Sequence, residues 1–154
     1  LILTDREAFE GCGQTNTTFI MKEFWNSHTN KIIIARKKDT QVIVGYACFS
    51  DCEVRDSRYG AGKKWFPSLY LLRIAVRINN QRYGIGRKLV NYLFETYPDH
   101  AIALDVDTDN VQACGFYHRV GLRVKEIYIS ADDVELALYE TPLDKNREKI
   151  RNED

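Results

Sequence analysis

Two glycines, Gly84 and Gly86, stand between an apolar run at residues 69–78 and a stretch in which Ile85, Leu89, Val90, Leu93, Phe94 and Tyr97 fall at helical spacing. Glycines at a strand-to-helix turn let the backbone come close to a ligand. The first N–H groups of the helix then point outward with the positive end of its dipole behind them. The arrangement is an anion cradle, and phosphate is its natural occupant. Two other glycine loops do not account for it. A dinucleotide fingerprint requires a third glycine where Leu89 stands. A Walker loop at Gly60-Ala61-Gly62-Lys63 has Lys64 in place of Ser or Thr, Ser57 in place of the first glycine, and Pro67 inside the helix it needs.

The turn reads Gln81-Arg82-Tyr83-Gly84-Ile85-Gly86, and about two dozen residues later comes Asn110-Val-Gln-Ala113-Cys-Gly-Phe116-Tyr117-His-Arg-Val-Gly121-Leu122. The first resembles the acetyl-coenzyme A motif Q/R-x-x-G-x-G/A of the GNAT superfamily of N-acetyltransferases. The second resembles the family's N-x-x-A-x-x-F/L-Y-x-x-x-G-F/L motif, in the order and at the separation the family requires. The resemblance covers roughly residues 15–140. It implies the GNAT fold, a mixed α/β sheet flanked by helices, with acetyl-CoA as co-substrate.

The resemblance also places roles. Backbone groups of the central strand at Ile74, Ala75 and Val76 would pair with the pantetheine arm, and the pyrophosphate would lie over Gln81, Arg82, Tyr83, Gly84, Ile85, Gly86 and Arg87. For Ile74 and Val76, core packing of the side chains is compatible with that. Arg82 and Arg87 could equally be solvated surface arginines. Asn110 matches the position that hydrogen-bonds the pantetheine, or it is a helix cap. Phe116 and Tyr117 would border the cofactor. Tyr117 matches the tyrosine that protonates the leaving thiolate, a task a phenol can do; the plainer reading is an aromatic on a buried helix face.

An ammonium has no lone pair with which to attack a thioester, so a base is also needed. Where some family members carry a glutamate in the central strand, this chain has Tyr70. Protein N-terminal acetyltransferases use a tyrosine there with a His or Glu on the next strand, acting through an ordered water. The corresponding residue here is Asp105, in Leu104-Asp105-Val106-Asp107. An aspartate in an apolar strand is costly unless paired or given a task, and partial burial would raise its pKa toward a useful range. It could instead hold the substrate ammonium or pair with Arg73. Asp107 should share its face and could hold a cationic substrate. His118, adjacent to Tyr117, points about 100° away on a helix and is assigned to the surface. Cys114 has no His-acid pair positioned by the sequence, so an acyl-cysteine is not expected.

The resemblance thus implies an acyltransferase that moves an acetyl group from acetyl-CoA to a primary amine by direct attack in a ternary complex, without metal. The oxyanion would be held by a strand N–H, that of Ile74. The Tyr70–Asp105 arrangement favours a protein N-terminus or lysine as acceptor. A small amine such as a polyamine, amino sugar or aminoglycoside is the alternative, and a non-catalytic acyl-CoA-binding module is another.

Composition is consistent with this without selecting it. Length allows one domain with a sizeable core, at residues 1–143, ahead of a charged tail at 144–154. Basic and acidic residues balance at 22 each, which argues against nucleic acid. Cys12, Cys48, Cys52 and Cys114 have no zinc spacing and read as reduced thiols of a cytoplasmic protein. There is no stretch of about eighteen apolar residues and no signal-peptide pattern, so no membrane association is expected. Homodimers are common in the family, but no feature here marks one.

The elements that must position these residues follow from periodicity. Phe19, Met21, Phe24 and Trp25 suggest a helix before Asn30; the first strand that the family resemblance implies ahead of it is hardly visible at residues 1–3. Residues 31–36 and 41–50 form a hairpin and 51–66 a long loop. Pro98 stops the helix that begins at Ile85. Residues 101–107 form a strand, Asp109 caps a helix running to Val120, and Gly121 ends it. Residues 122–130 and 134–141 close the chain as a hairpin.

Overall fold

The computed structural model describes residues 30–54 and 66–142. The helical face around Phe19–Trp25, the strand at 1–3, the middle of the 51–66 loop and the charged tail lie outside them. Six strands, β1 (Asn30–Arg36), β2 (Ile43–Val54), β3 (Phe66–Val76), β4 (Ala101–Asp107), β5 (Arg123–Ile129) and β6 (Glu135–Glu140), form a mixed sheet in the order β1-β2-β3-β4-β6-β5. Two helices, α1 (Ile85–Thr96) and α2 (Val111–Arg119), follow β3 and β4. The described residues fall into two compact units, 30–51 with 71–96, and 52–54 with 66–70 and 97–142.

In the first unit β1 and β2 are the expected antiparallel hairpin. β2 continues to Val54, past the expected start of the loop at Asp51. Its β-branched and aromatic residues suit an extended, buried strand, and Val44, Tyr46, Ala47, Cys48 and Phe49 are all buried. α1 buries Leu89, Val90 and Leu93, the i, i+1, i+4 face that the sequence pattern set out, and packs against β1. Gly45 marks the tightest contact. A Cβ there would meet the Ala75 carbonyl oxygen at 3.0 Å and Ile85 Cγ2 at 3.2 Å, so only glycine lets β2 lie this close to β3 and α1.

In the second unit the start of β3 runs parallel to β4, with Ser68, Leu69 and Tyr70 opposite Ala101, Ile102 and Ala103. β6 is antiparallel to both β4 and β5. β4 is buried along Ala101–Leu104 and at Val106, as an interior strand should be. α2 begins on Asn110, whose Oδ1 accepts from Ala113 N at 3.1 Å; the cap is therefore Asn110 and not Asp109. Asp109 is instead held outside the helix, where its N–H donates to Asp107 Oδ1 at 2.8 Å. The far end closes as a Schellman motif: Gly121 N–H donates to the His118 carbonyl and Leu122 N–H to the Tyr117 carbonyl, with Gly121 at φ +103°. Leu122 is fully buried behind it, a contribution of about 2 kcal/mol. The helix that carries Tyr117 is thereby fixed at both ends.

Candidate active site

The anion cradle sits at the start of α1. Behind β3 the chain makes a 3-10 turn, Ile78–Asn80, and Gln81 Nε2 donates to the Val76 carbonyl at 3.0 Å, tying the turn to the strand. Gln81 thus has a structural task, independent of any ligand. Arg82 and Gly84 then adopt left-handed backbone, at φ +66° and +77°. Glycine takes this conformation freely, but a long side chain such as Arg82 holds it only at a cost. The first helical bond runs from Lys88 N–H to the Gly84 carbonyl at 3.0 Å, so Ile85 and Gly86 present N–H groups that no helical carbonyl can accept.

The first turn of α1 contains no acidic side chain, and Arg82, Tyr83, Gly84 and Arg87 are exposed around it. A Cβ on Gly84 would meet nothing within 4 Å, so the space over the turn is open. Open space, outward N–H groups and arginines fit a diphosphate. Ala75 is buried, and Ile74 and Val76 are half-buried, as packing side chains on a strand whose backbone could serve a ligand.

The second unit carries a different constellation. Tyr70 Oη donates to Asp105 Oδ2, and Tyr128 Oη donates to Asp105 Oδ1 at 2.7 Å. The pairing register explains the meeting. Tyr70 stands opposite Ala103 and Asp105 opposite Leu138, while Tyr128, opposite Leu136, lies on the same face by the two-residue alternation. All three side chains are half-buried. Burial, and then the hydrogen bond and negative charge of Asp105, push the Tyr70 phenol well above its ordinary 10.0, so at neutral pH it remains a proton donor. A phenol-to-carboxylate bond is charge-assisted and contributes about 1.5–3 kcal/mol. A carboxylate has about four lone-pair sites; two are taken here and two remain for a cation or a water.

Of the expected acid-base residues, the structure brings Tyr70 and Asp105 together and places Tyr117 elsewhere. Tyr117 is half-buried on α2, its ring tilted against Tyr139 with centroids 5.9 Å apart and edge-on to Phe116 at 5.4 Å. Tyr139 alternates with Leu138, the neighbour of Asp105, so it faces the opposite side of β6. The attacking nitrogen and the leaving sulfur are bonded to one carbon, so an acid at Tyr117 and a base at Asp105 have to reach the same acetyl group from their two sides of the sheet. Asp107 is exposed and turns its carboxylate back onto the Asp109 N–H. Asn110 is half committed: its oxygen caps α2, and its amide NH2 makes no hydrogen bond among the described residues. His118 is exposed, as expected. Cys114 is half-buried, with its thiol 3.7 Å from the Asp107 carbonyl and hydrogen-bonded with the Tyr139 phenol. No His, Cys, Asp and Glu grouping able to hold a metal occurs among the described residues.

Tyr128 is the residue that sequence reasoning missed. Its only sequence signal is the alternation of Glu126 and Tyr128 with Ile127 and Ile129, which cannot say which sheet neighbour it meets.

The acetyltransferase (GNAT) family model matches residues 3–122, more than three quarters of the chain. The chain belongs to the GNAT acetyltransferase family. It is therefore an acyltransferase, and acetyl-CoA, the donor that the family resemblance implied, is its co-substrate. A search of curated proteins finds no match in sequence. Among solved structures, a GNAT-family protein from Desulfovibrio desulfuricans shares 17% identity and a TM-score of 0.70, with 90% of each chain covered. Naa20 of Chaetomium thermophilum, solved with a bisubstrate analogue, shares 19% identity and a TM-score of 0.67, covering 96% of this chain and 86% of its own. The NatC complex bound to Gag peptide and CoA gives 17% identity, a TM-score of 0.60, and coverage of 82% and 79%. At these identities the likeness is one of fold. No helix among the described residues is long and apolar enough to cross a membrane.

Proposed function

We infer that this GNAT acetyltransferase acetylates the free amino terminus of a protein or peptide. The observation that carries the reading is the Asp105 carboxylate held between the Tyr70 and Tyr128 phenols. A strand tyrosine with an acid on the neighbouring strand resembles the arrangement of the family's protein N-terminal acetyltransferases, with Asp105 where they carry a His or Glu. The NatC complex, whose structure holds a Gag peptide and CoA, contains a chain of the same fold.

When bound, acetyl-CoA supplies an acetyl carbonyl activated as a thioester. The turn at Arg82–Gly84 and the N–H groups of Ile85 and Gly86 would hold its diphosphate, with Arg82 and Arg87 adding charge. Asp105, directly or through a water, takes a proton from the acceptor ammonium and so frees the nitrogen lone pair. Tyr70 stays a neutral phenol and orients that carboxylate. The Tyr117 phenol donates its proton to the departing sulfur and recovers one from solvent. Two protons leave the nitrogen between ammonium and amide, one before attack and one as the tetrahedral intermediate collapses. One is matched by the proton that reaches the thiol and the other passes to solvent, so the exchange balances.

The test is thiol release from acetyl-CoA with a library of peptides carrying free amino termini, set beside polyamines and amino sugars. Turnover with peptides that Asp105→Asn and Tyr117→Phe each slow by at least about 100-fold is the expected result. Turnover with polyamines or amino sugars alone overturns the peptide acceptor.

A further inference from the structure

Tyr128 reaches Asp105 from two strands away. The order β4-β6-β5 places β6 between them, and neighbouring strands are spaced by about 4.8 Å, so the phenol must lean across the Leu136–Leu138 stretch of β6 to meet Oδ1. A short polar side chain at this position could not span that gap.

The strand is also set to aim it. In the β5/β6 ladder Arg123 faces Glu140 and Val124 faces Tyr139, but Leu138 is met by Glu126, leaving Lys125 without an opposite residue. This is a β-bulge, a device that re-aims side chains. Had the ladder run on without it, Lys125 would face Leu138 and Tyr128 would stand one place further along, on the face away from Asp105. The bulged Lys125 is anchored in turn by Glu140, a buried carboxylate whose Oε2 lies 2.8 Å from its Nζ.

One hydrogen bond does not fix an aspartate. The terminal torsion of the carboxyl group is broad, and the bond from Tyr70 holds only Oδ2. A second donor on Oδ1 sets the plane of the group and with it the direction of the two lone pairs still open. We propose that Tyr128 is a positioning residue of the acetyl-transfer reaction: its O–H, delivered by the Lys125 bulge, orients the Asp105 carboxylate for the acceptor amine. The proposal rests on Asp105 being the proton acceptor described above.

The test compares the intact chain with Tyr128→Phe, Asp105→Asn and the double variant, reading thiol release from acetyl-CoA with the free-amine peptide library and following folding by thermal melts. Tyr128→Phe keeps the ring that lies across β6 and removes only the O–H. The expected result is a roughly tenfold lower kcat with KM for acetyl-CoA unchanged, and no additional loss when Tyr128→Phe is placed on Asp105→Asn, because the phenol acts only through that carboxylate. Losses that multiply in the double variant overturn the proposal, as does Tyr128→Phe at the parental rate while Asp105→Asn is slow. Asp105→Asn at the parental rate, or an intact chain that turns over no peptide, overturns the underlying reading and the proposal with it.

Discussion

The turn at Arg82–Gly84 presents main-chain N–H groups, and its geometry is set by two left-handed residues close together in the chain. The Asp105 cluster works with three side chains from three strands, 35 and 23 residues apart along the chain. The first is local: change a backbone angle and the cradle is gone, whatever the rest of the protein does. The second is assembled by register, and a one-residue slip anywhere in the β4-β6-β5 ladders would dissolve it. Phosphate recognition by backbone tolerates almost any side chain that the turn allows. Proton transfer tolerates almost no change in the groups that carry it.

That contrast can be broken at either end. The largest effect is expected from Asp105→Asn, which keeps the shape but removes the proposed proton acceptor and sets an NH2 against one of the two donating phenols; kcat should fall by at least about 100-fold, with the thermal midpoint lowered by only several degrees. If the midpoint collapses instead, the cluster belongs to folding and not to chemistry. Gly84→Val places a β-branched side chain at φ +77° with no neighbour to clash against, so its cost is purely backbone, about 1–2 kcal/mol. The free turn relieves that strain by leaving the angle, and acetyl-CoA has to restore it on binding, so the penalty should appear as a roughly tenfold rise in KM for acetyl-CoA with kcat spared, the converse of the Asp105 result.

The two regions also differed in how far they could be read beforehand. The glycine turn, α1 and β4 announce themselves through Gly84, the 85–97 periodicity, Pro98 and the apolar 101–104 run, because local rules decide them. The Tyr70–Asp105 pairing was legible only through family resemblance. Tyr128 was not legible at all, since a bulge at Lys125 decides which way it faces and bulges leave no mark on periodicity. The helix start shifted from Asp109 to Asn110 because either side chain can cap; Asp109 is held outside by the Asp107 carboxylate.

Smaller effects sharpen the picture of the first unit. Gly45→Ala forces a Cβ to 3.0 Å from the Ala75 carbonyl, an overpacking cost of about 1–3 kcal/mol that should lower the melting midpoint by several degrees. The subtlest is alkaline. Burial raises the Cys48 thiol from its ordinary 9.0 to about 12, with the charge of Arg73 opposing the shift less strongly. The folded protein keeps a proton that the unfolded chain gives up, so this contribution to stability is intact below pH 9 and is lost as pH rises toward about 12. Denaturant melts across that window should show the decline, and Cys48→Ala should flatten it. In the native protein at pH 8, iodoacetamide should leave Cys48 unlabelled, because both the thiolate and a path to it are lacking.

The bulge at Lys125 has a meaning for how copies of this chain meet one another. Among the described residues β5 closes one side of the sheet, and Ile127 and Ile129 stand exposed along it at 58% and 60%. An unbroken apolar outer strand is a ready template for another chain to add onto, and natural sheets blunt such rims with a lysine or a local kink. This one has both at the same residue. The irregularity that turns a tyrosine toward its aspartate therefore also interrupts the rim halfway along, so an attempt to regularise β5 for greater stability would put solubility at risk together with activity.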